Sequence, residues 1–377
     1  MSFKITIVRH SESLPSDVSG ARLWRSGLFA KYFFDKGYVV SWLISSYDHY
    51  NKKQRQRIDP FPCEPGLHET VKLLKTPGYK KNLSIFRFFD HFWFAIKTFF
   101  CLMKSEKPDL IICSYPTPDA SLACVIYGSF FKVPVILDIR DQWPDVLFEA
   151  FRGKLSYVVR VLLSPYTLMK ILSFKYATGL IAANQSFLDW GLGYTGRGQN
   201  SYDFVSYIPF EIPVISDKQH DQAWSIYSSL NCNSNDLVIT FAGTIGKMFE
   251  FESLFSALEM AKKNSINVKV FICGRGSELA SLEKKFQVYP NVCFTGQLES
   301  QVVFSLLGLS DILLAPYKDL NNFNGHLPNK FMEYCAVGKP ILSSLKGLPE
   351  ELIRNYKFGH SFSDAEGLYR GIEYYNS

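Results

Sequence analysis

Short apolar runs alternate with longer stretches of helical period along the whole chain. Ile5–Val8, Val39–Ile44, Leu110–Cys113, Val133–Leu137, Gly179–Ala182 and Val205–Ile208 read as strands. Near-continuous apolar runs of this length belong to strands covered on both faces. Helices are predicted near 20–36, 84–105, 118–131, 145–175 and 184–192. A looser stretch follows over 193–236, with Gly193, Gly196, Gly198, Pro209 and Pro213, and the linker is placed within it. The alternation then resumes with strands Leu237–Ala242, Val268–Cys273, Val292–Phe294, Ile312–Leu314 and Pro340–Leu342. The helices between and after them fall near 250–264, 276–288, 299–308, 328–337 and 348–355. The pattern predicts an α/β protein of two doubly wound domains, 1–210 and 211–377, facing one another. Ligands in such sheets bind beyond the carboxyl ends of the strands, so the interdomain cleft is the expected site.

Composition narrows the classes. The chain has 377 residues, 47% of them apolar and 20% charged, which suits a globular protein of two domains. Its net charge of +6 is too small to imply nucleic acid, and no nucleic-acid partner is expected. Arg87, Asp90 and Lys97 interrupt one long apolar stretch, and Arg160, Pro165 and Lys170 another, so no run reaches the ~20 residues of a spanning helix. The N-terminus reads as a strand rather than a secretion signal. The eight cysteines include no C-x-x-C pair, which is expected of a reduced, cytoplasmic protein. No histidine spacing fits a zinc site, and no metal is expected.

Candidate chemistry lies at strand ends in the second half. Gly243-Thr244-Ile245-Gly246-Lys247, Gly274-Arg275-Gly276 and Thr295-Gly296 each follow a strand. Glycine lets backbone approach an anion closely, although strand-to-helix turns also need glycine for structural reasons. None of the three matches the G-x-G-x-x-G dinucleotide fingerprint, which disfavours a dehydrogenase. The segment Asn322-Phe323-Asn324-Gly325-His326-Leu327-Pro328-Asn329-Lys330-Phe331-Met332-Glu333 is sharper. Pro328 suits the first helical position, and Lys330 and Glu333 then share a helix face. Such a turn can grasp a phosphate and offer a carboxylate to sugar hydroxyls; a surface ion pair is the alternative.

The order of Phe-Ala-Gly-x-x-Gly, Cys-Gly-Arg-Gly-x-Glu-Leu, Asn-Val-x-Phe-x-Gly, Ser-Asp-Ile-x-Leu-Ala-Pro and Leu-Pro-Asn-Lys-Phe-x-Glu-Tyr-Cys-Ala-x-Gly-Lys-Pro resembles glycosyltransferase family 4. The similarity is closest to its capsule and O-antigen polysaccharide branch. It is strong over 237–350 and holds only in outline before that. The resemblance implies the GT-B fold, with an N-terminal acceptor domain, a C-terminal nucleotide-sugar domain and often a final helix crossing back to the first. It implies a retaining, metal-independent transferase with no cofactor, its nucleoside diphosphate sugar being a substrate. The absence of any Asp-x-Asp triplet agrees with that. Glu333 matches the second Glu of the family's Glu-x7-Glu motif, whose role is to bind the ribose hydroxyls. Gly325 stands where the first Glu would be, which leaves the donor sugar open and turns attention to Asn324, His326 and the backbone of 325–327. Thr244 stands where the family commonly has Arg. Lys247 and Lys330 are then the cations for the departing diphosphate, with Arg275 reaching the nucleotide. Gly243, Gly274, Leu327 and Pro328 complete the donor set.

In the first half, Asp138-Ile139-Arg140-Asp141-Gln142-Trp143-Pro144-Asp145 resembles the Asp-x-Trp-Pro segment of the same branch. Asp141 is the candidate that faces the reacting sugars, with helix capping as the alternative. Ser19 and Gly20 correspond to the acceptor-side glycine loop, and Arg22 and Arg25 follow. Residues 79–104 hold five basic residues, one acidic residue and nine aromatics; 152–175 hold five basic residues and no acidic one. Basic aromatic helices lie at anionic membrane surfaces, and a Phe-rich core helix is the alternative. The expected activity is sugar transfer to a polyprenyl-diphosphate-linked saccharide in surface polysaccharide synthesis, peripheral on the inner face of the plasma membrane. A GT-B nucleotide-sugar 2-epimerase and a non-catalytic nucleotide-sugar-binding subunit are the alternatives.

Overall fold

The computed structural model describes residues 2–17, 23–61, 64–82, 84–150, 154–319 and 327–376. The chain divides into two units, Met1–Tyr207 and Ile208–Ser377. Strands of the first are β1 (Lys4–Arg9), β2 (Val39–Ser45), β3 (Tyr47–Asp48), β4 (Lys53–Gln54), β5 (Val71–Leu74), β6 (Leu110–Tyr115), β7 (Val135–Ile139), β8 (Gly179–Ala182) and β9 (Phe204–Val205). Its helices are α1 (Arg25–Asp35), α2 (Ile85–Lys104), α3 (Pro118–Phe131), α4 (Asp145–Ala150), α5 (Lys154–Leu162), α6 (Ser164–Tyr176) and α7 (Gln185–Leu192). The sheet order is β5-β2-β1-β6-β7-β8-β9, with every neighbouring pair parallel. β3 and β4 form a separate antiparallel ribbon.

The second unit has α8 (Asp217–Ser228), β10 (Leu237–Ala242), α9 (Glu252–Lys263), β11 (Val268–Cys273), α10 (Leu279–Phe286), β12 (Val292–Gly296), α11 (Ser300–Leu309) and β13 (Ile312–Ala315). It continues with α12 (Asn329–Val337), β14 (Ile341–Ser343), α13 (Leu348–Tyr356), β15 (Gly359–Ser361) and α14 (Ala365–Asn376). Its sheet order is β12-β11-β10-β13-β14-β15, again all parallel. Both sheets thus reverse direction beside their first strand, between β1 and β6 and between β10 and β13. Those switch points open a crevice at the carboxyl edge.

The central strands are buried along their whole length, as their unbroken apolar sequences require. Several predicted elements change. The helix expected over 145–175 is three helices, because Leu163 leaves helical geometry and Pro165 cannot sit inside a helix, so α6 starts afresh around it. The stretch assigned to linker contains α8, which docks on α11 through His220 Nδ1 and Ser305 Oγ at 3.0 Å. The final helix packs on α9 and buries Leu368 and Ile372 in the core of the second unit. α2 buries Asp90, His91, Phe94, Ala95, Thr98 and Leu102 and leaves Ile85, Phe86, Phe89, Phe92 and Phe100 exposed. It is therefore not wholly a core helix.

A buried ion network holds the carboxyl edge of the first sheet. Asp138, at the end of β7, is fully buried. Arg25 Nε reaches its Oδ1 at 2.9 Å, and Arg140 Nε its Oδ2 at 2.8 Å. Arg140 continues to Glu12 Oε2 at 2.8 Å and to Ser26 Oγ at 2.7 Å. Glu12 Oε1 in turn accepts from the Gly27 amide at 3.0 Å. Burial alone would raise the Asp138 carboxyl, but Arg140 and Arg25 hold it below the usual range. Removing the shared acid leaves the buried Arg25 guanidinium without a carboxylate and Arg140 with Glu12 alone. Asp138→Ala is expected to destabilise the protein by about 3–5 kcal/mol in urea unfolding, and a loss under about 1 kcal/mol would mean the network relaxes into water.

Candidate functional site

The carboxyl edge of the second sheet is built from loops that touch backbone to backbone. The Gly243 amide donates to the Cys273 carbonyl at 2.8 Å, and the Gly274 amide to Gly296 at 2.7 Å. Ile245 donates to Arg275 at 3.0 Å, and Glu278 to Ile245 at 3.1 Å. Gly243 has φ 149° and Gly274 φ 139°, conformations that favour glycine. A Cβ at Gly274 would overlap the Gly243 carbonyl, and one at Gly243 would overlap Nζ of Lys330. The glycines are thus needed for contact between loops and for the place of a lysine.

Lys330 lies in the first turn of α12. Its Nζ is 4.5 Å from the ring centre of Phe241, 5.5 Å from Phe249 and 5.8 Å from Tyr334. Among the described residues no carboxylate comes within ion-pair distance of it. Burial pushes its amine down to about 8 although Glu333 pulls the other way. Phe241 ends the apolar run of β10, and Phe249 packs on Tyr317 with ring centres 4.7 Å apart. Tyr334 accepts from the Ala242 amide at 3.0 Å and donates to the Leu314 carbonyl at 3.2 Å. One buried hydroxyl therefore ties β10 to β13 at the switch point.

Helix termini sort the anion sites further. At α9 the carboxylate of Glu250 accepts from the amides of Glu252 and Ser253, so this N-terminus already holds a negative charge. α12 has no side-chain cap; it begins at Asn329 with Pro328 one place before it, and Gly338 closes it with φ 77°. Its first amides and Lys330 are the open positive end of this edge. Glu333 stands one turn on and is half-buried. Its charge helps raise the Tyr317 phenol, after burial. Thr244, Lys247 and Arg275 are exposed on the two glycine loops. Leu327 is buried in the core and anchors the entry to α12.

The predicted residues thus separate into groups. Gly243, Thr244, Lys247, Gly274, Arg275, Leu327, Pro328, Lys330 and Glu333 belong to one edge of one sheet. Asn324, Gly325 and His326 lie outside the described residues, as do Ser19, Gly20 and Arg22. Asp141 is exposed at the end of β7, where its Oδ1 accepts from the Gln142 amide at 2.8 Å; burial of its surroundings raises its carboxyl. Arg140 and Arg25 point into the ion network. Sequence reasoning missed His10, whose Nε2 is 2.6 Å from Asp90 Oδ2 and whose Nδ1 is 2.5 Å from Ser11 Oγ. The signal was present as charged residues abutting the apolar run Ile5–Val8, but its partner is 80 residues away. Among the described residues no three His, Cys, Asp or Glu side chains gather as a metal-binding group.

Residues 223–375 match the model of the family described as "Glycosyl transferases group 1". No curated protein matches the chain. Among solved structures it is similar to HepE of Anabaena in complex with UDP and glucose, at 15% identity and TM-score 0.60, over 99% of this chain and 89% of that one. It is similar to WaaG, a glycosyltransferase involved in lipopolysaccharide biosynthesis, at 12% identity and TM-score 0.58, over 99% and 90%. The catalytic domain of starch synthase IV from Arabidopsis thaliana, bound to ADP and acarbose, aligns at 11% identity and TM-score 0.60, over 100% and 91%. The chain has the two-domain GT-B fold of glycosyltransferases, and its second unit carries the match to the group 1 family.

Proposed function

We propose that the protein is a retaining glycosyltransferase that moves a sugar from a nucleoside diphosphate sugar to a lipid-linked saccharide in surface polysaccharide synthesis. The observation that carries the reading is the Gly243–Lys330 contact beside the uncapped start of α12, inside the segment that matches the group 1 family. The ligands named for the similar structures, UDP with glucose and ADP with acarbose, agree with such a donor. The lipopolysaccharide role of WaaG agrees with such a product.

In this mechanism the diphosphate lies against the amides of the glycine loops and the first turn of α12. Lys330 is its enclosed cation, and Lys247 and Arg275 are its exposed ones. As the glycosidic bond to the diphosphate breaks, negative charge grows on the leaving oxygen, and these fixed cations stabilise it without a metal. Glu333 accepts hydrogen bonds from the ribose hydroxyls, a task suited to a carboxylate. The acceptor hydroxyl attacks on the face the diphosphate leaves, so its proton passes to the departing phosphate oxygen and the anomeric configuration is kept.

The membrane part of the proposal rests on α2, α5 and α6. Phe86 is 68% exposed, Phe89 51%, Tyr157 73% and Leu162 70%, with Lys80, Lys81, Arg160 and Lys175 among them. No single described helix is long and apolar enough to cross a membrane; α5 and α6 together pass that test but are bent by 57°. An interfacial position suits exposed aromatics flanked by basic residues.

Four outcomes test the proposal. Thermal unfolding against UDP, GDP, dTDP, ADP and CMP is expected to show stabilisation by one diphosphate with or without magnesium, worth roughly 2.7 kcal/mol at a hundredfold excess over Kd. Glu333→Ala should weaken that ligand by about 1.5–3 kcal/mol; no shift with any nucleotide overturns the donor assignment. The Lys330 amine loses its proton as pH rises through about 8. Calorimetric affinity for the diphosphate should therefore fall from pH 8 towards pH 10 in the native protein. In Lys330→Met it should be weaker throughout and lack that fall, whereas a flat native profile removes Lys330 from the ligand. Finally, sedimentation with phosphatidylglycerol vesicles should retain the native protein and lose Phe86→Ser/Phe89→Ser, and equal retention of both would exclude α2 as the docking face.

A further inference from the structure

A second cationic cluster sits at the carboxyl edge of the first sheet. The turn between β3 and β4, the loop after β5 and the first turn of α2 bring together His49, Lys52, Tyr79, Asn82 and Arg87. Lys52 Nζ donates to Asn82 Oδ1 at 2.5 Å and lies 3.4 Å from His49 Nδ1. Arg87 Nη1 donates to the Asn82 carbonyl at 3.0 Å. One residue therefore holds both cations. Both also lie over the Tyr79 ring, Lys52 at 4.8 Å and Arg87 at 5.8 Å from its centre. The Tyr79 hydroxyl meets His49 Nδ1 at 2.5 Å.

Among the described residues nothing acidic balances this group: neither Lys52 nor Arg87 has a carboxylate within ion-pair distance. Three carboxylates lie in the neighbourhood. Asp141, which feels the charge of Arg87, accepts from the Gln142 amide, and the other two are engaged elsewhere. Asp48 accepts from the amides of Tyr50 and Asn51 and from Asn51 Nδ2. Asp90 is fully buried and accepts from the Gly78 amide at 2.6 Å as well as facing His10. Lys52 moreover has φ 55°, a left-handed conformation that a lysine rarely adopts. Burial, then repulsion from Lys52 and Arg87, pushes the His49 imidazole down to about 4, and burial and Arg87 lower the Lys52 amine. An anion placed among the three would reverse those penalties.

The donor set selects among anions. An ammonium and an imidazole from the β3–β4 turn meet a guanidinium from α2, which suits a group with three or more acceptor oxygens better than a two-oxygen carboxylate. The cluster also adjoins the exposed apolar start of α2, Ile85 and Phe86. We propose that His49, Lys52 and Arg87 form a phosphoryl-binding site for a diphosphate, carried by a lipid-linked acceptor or free in solution. The site deepens the acceptor reading above and rests on it for the lipid source alone.

The test uses the full chain with inorganic pyrophosphate and farnesyl diphosphate as probes, followed by calorimetry and by the NMR titration of the His49 imidazole. Pyrophosphate should bind and raise the His49 pKa. Lys52→Ala and Arg87→Ala should each weaken binding at this site by about tenfold or more, the scale of a charge-assisted hydrogen bond. Lys53→Ala, which removes the same charge one residue away, should change it less than about twofold. The His49 response should persist in Lys330→Ala, which separates this site from the one on the second sheet. Farnesyl diphosphate binding at least tenfold tighter than pyrophosphate assigns the lipid-linked source, and equal affinities assign a free diphosphate. No His49 response to either probe, or equal weakening by Lys53→Ala, overturns the proposal. If His49 responds but no nucleotide stabilises the protein, the transferase reading fails and this site stands. If a nucleotide stabilises the protein but His49 is silent, the transferase reading stands and this site fails.

Discussion

The ammonium of Lys330 sits over Phe241 because Gly243 has no side chain to displace it. Much else at that edge follows from this contact. For the lysine to reach the ring, α12 must start close to the end of β10. Tyr334, one turn further on, then falls between Ala242 and Leu314 and bridges the two diverging strands. Separately, Gly274 rests on the Gly243 carbonyl where the loops after β10 and β11 meet. A strand-to-helix turn needs glycine for its own geometry, but that need does not explain overlap with a residue nearly ninety positions away. The geometric demand is tertiary.

The first unit solves the same problem with charge. Its sheet has the same strand order about its switch point, yet its carboxyl edge is tied by Arg25, Asp138, Arg140 and Glu12 rather than by close backbone contact. Arg9 adds a further cation: its Nη1 donates to the Pro116 carbonyl at 3.2 Å, and burial and Arg140 lower it to about 10. Buried ion networks add little net stability over apolar packing but fix directions strictly. Helices α4, α6 and α7 are joined in the same manner, by Asp145 accepting from Lys170, Trp190 and Tyr194. A polar frame of this kind leaves apolar side chains free for the outer helices, where α2 and α5 display them.

Burial on both faces writes an unbroken apolar run, and β10, β11 and β13 were legible for that reason. β5 and β15 were not, because edge strands of three or four residues such as Val71–Leu74 and Gly359–Ser361 carry mixed polarity. α8 was hidden by its low apolar content and by the glycine-rich stretch before it. The cap at Gly338 was readable locally, since a left-handed glycine after a helical period has one common meaning. The ion network was not, because Arg25 and Asp138 are 113 residues apart and each alone looks like a surface charge. Lys330 and Glu333 stood out in the sequence as a spacing, but the depressed lysine depends on three aromatic rings, two of them from the distant loop around β10.

That depressed lysine bears on which helix end serves an anion. Two helices follow the strands that flank the second switch point, α9 after β10 and α12 after β13. In a doubly wound sheet the first of these is the usual phosphate cradle. Here Glu250 places a carboxylate on its amides, and a second anion there would meet repulsion. The positive potential is thereby moved across the switch point to α12. Burial lowers the Lys330 amine although Glu333 pulls the other way, and an anion beside it would favour its charged form. In the proposed donor site ribose and diphosphate are adjacent parts of one molecule, and a helix turn of three residues sets Glu333 and Lys330 at a matching spacing.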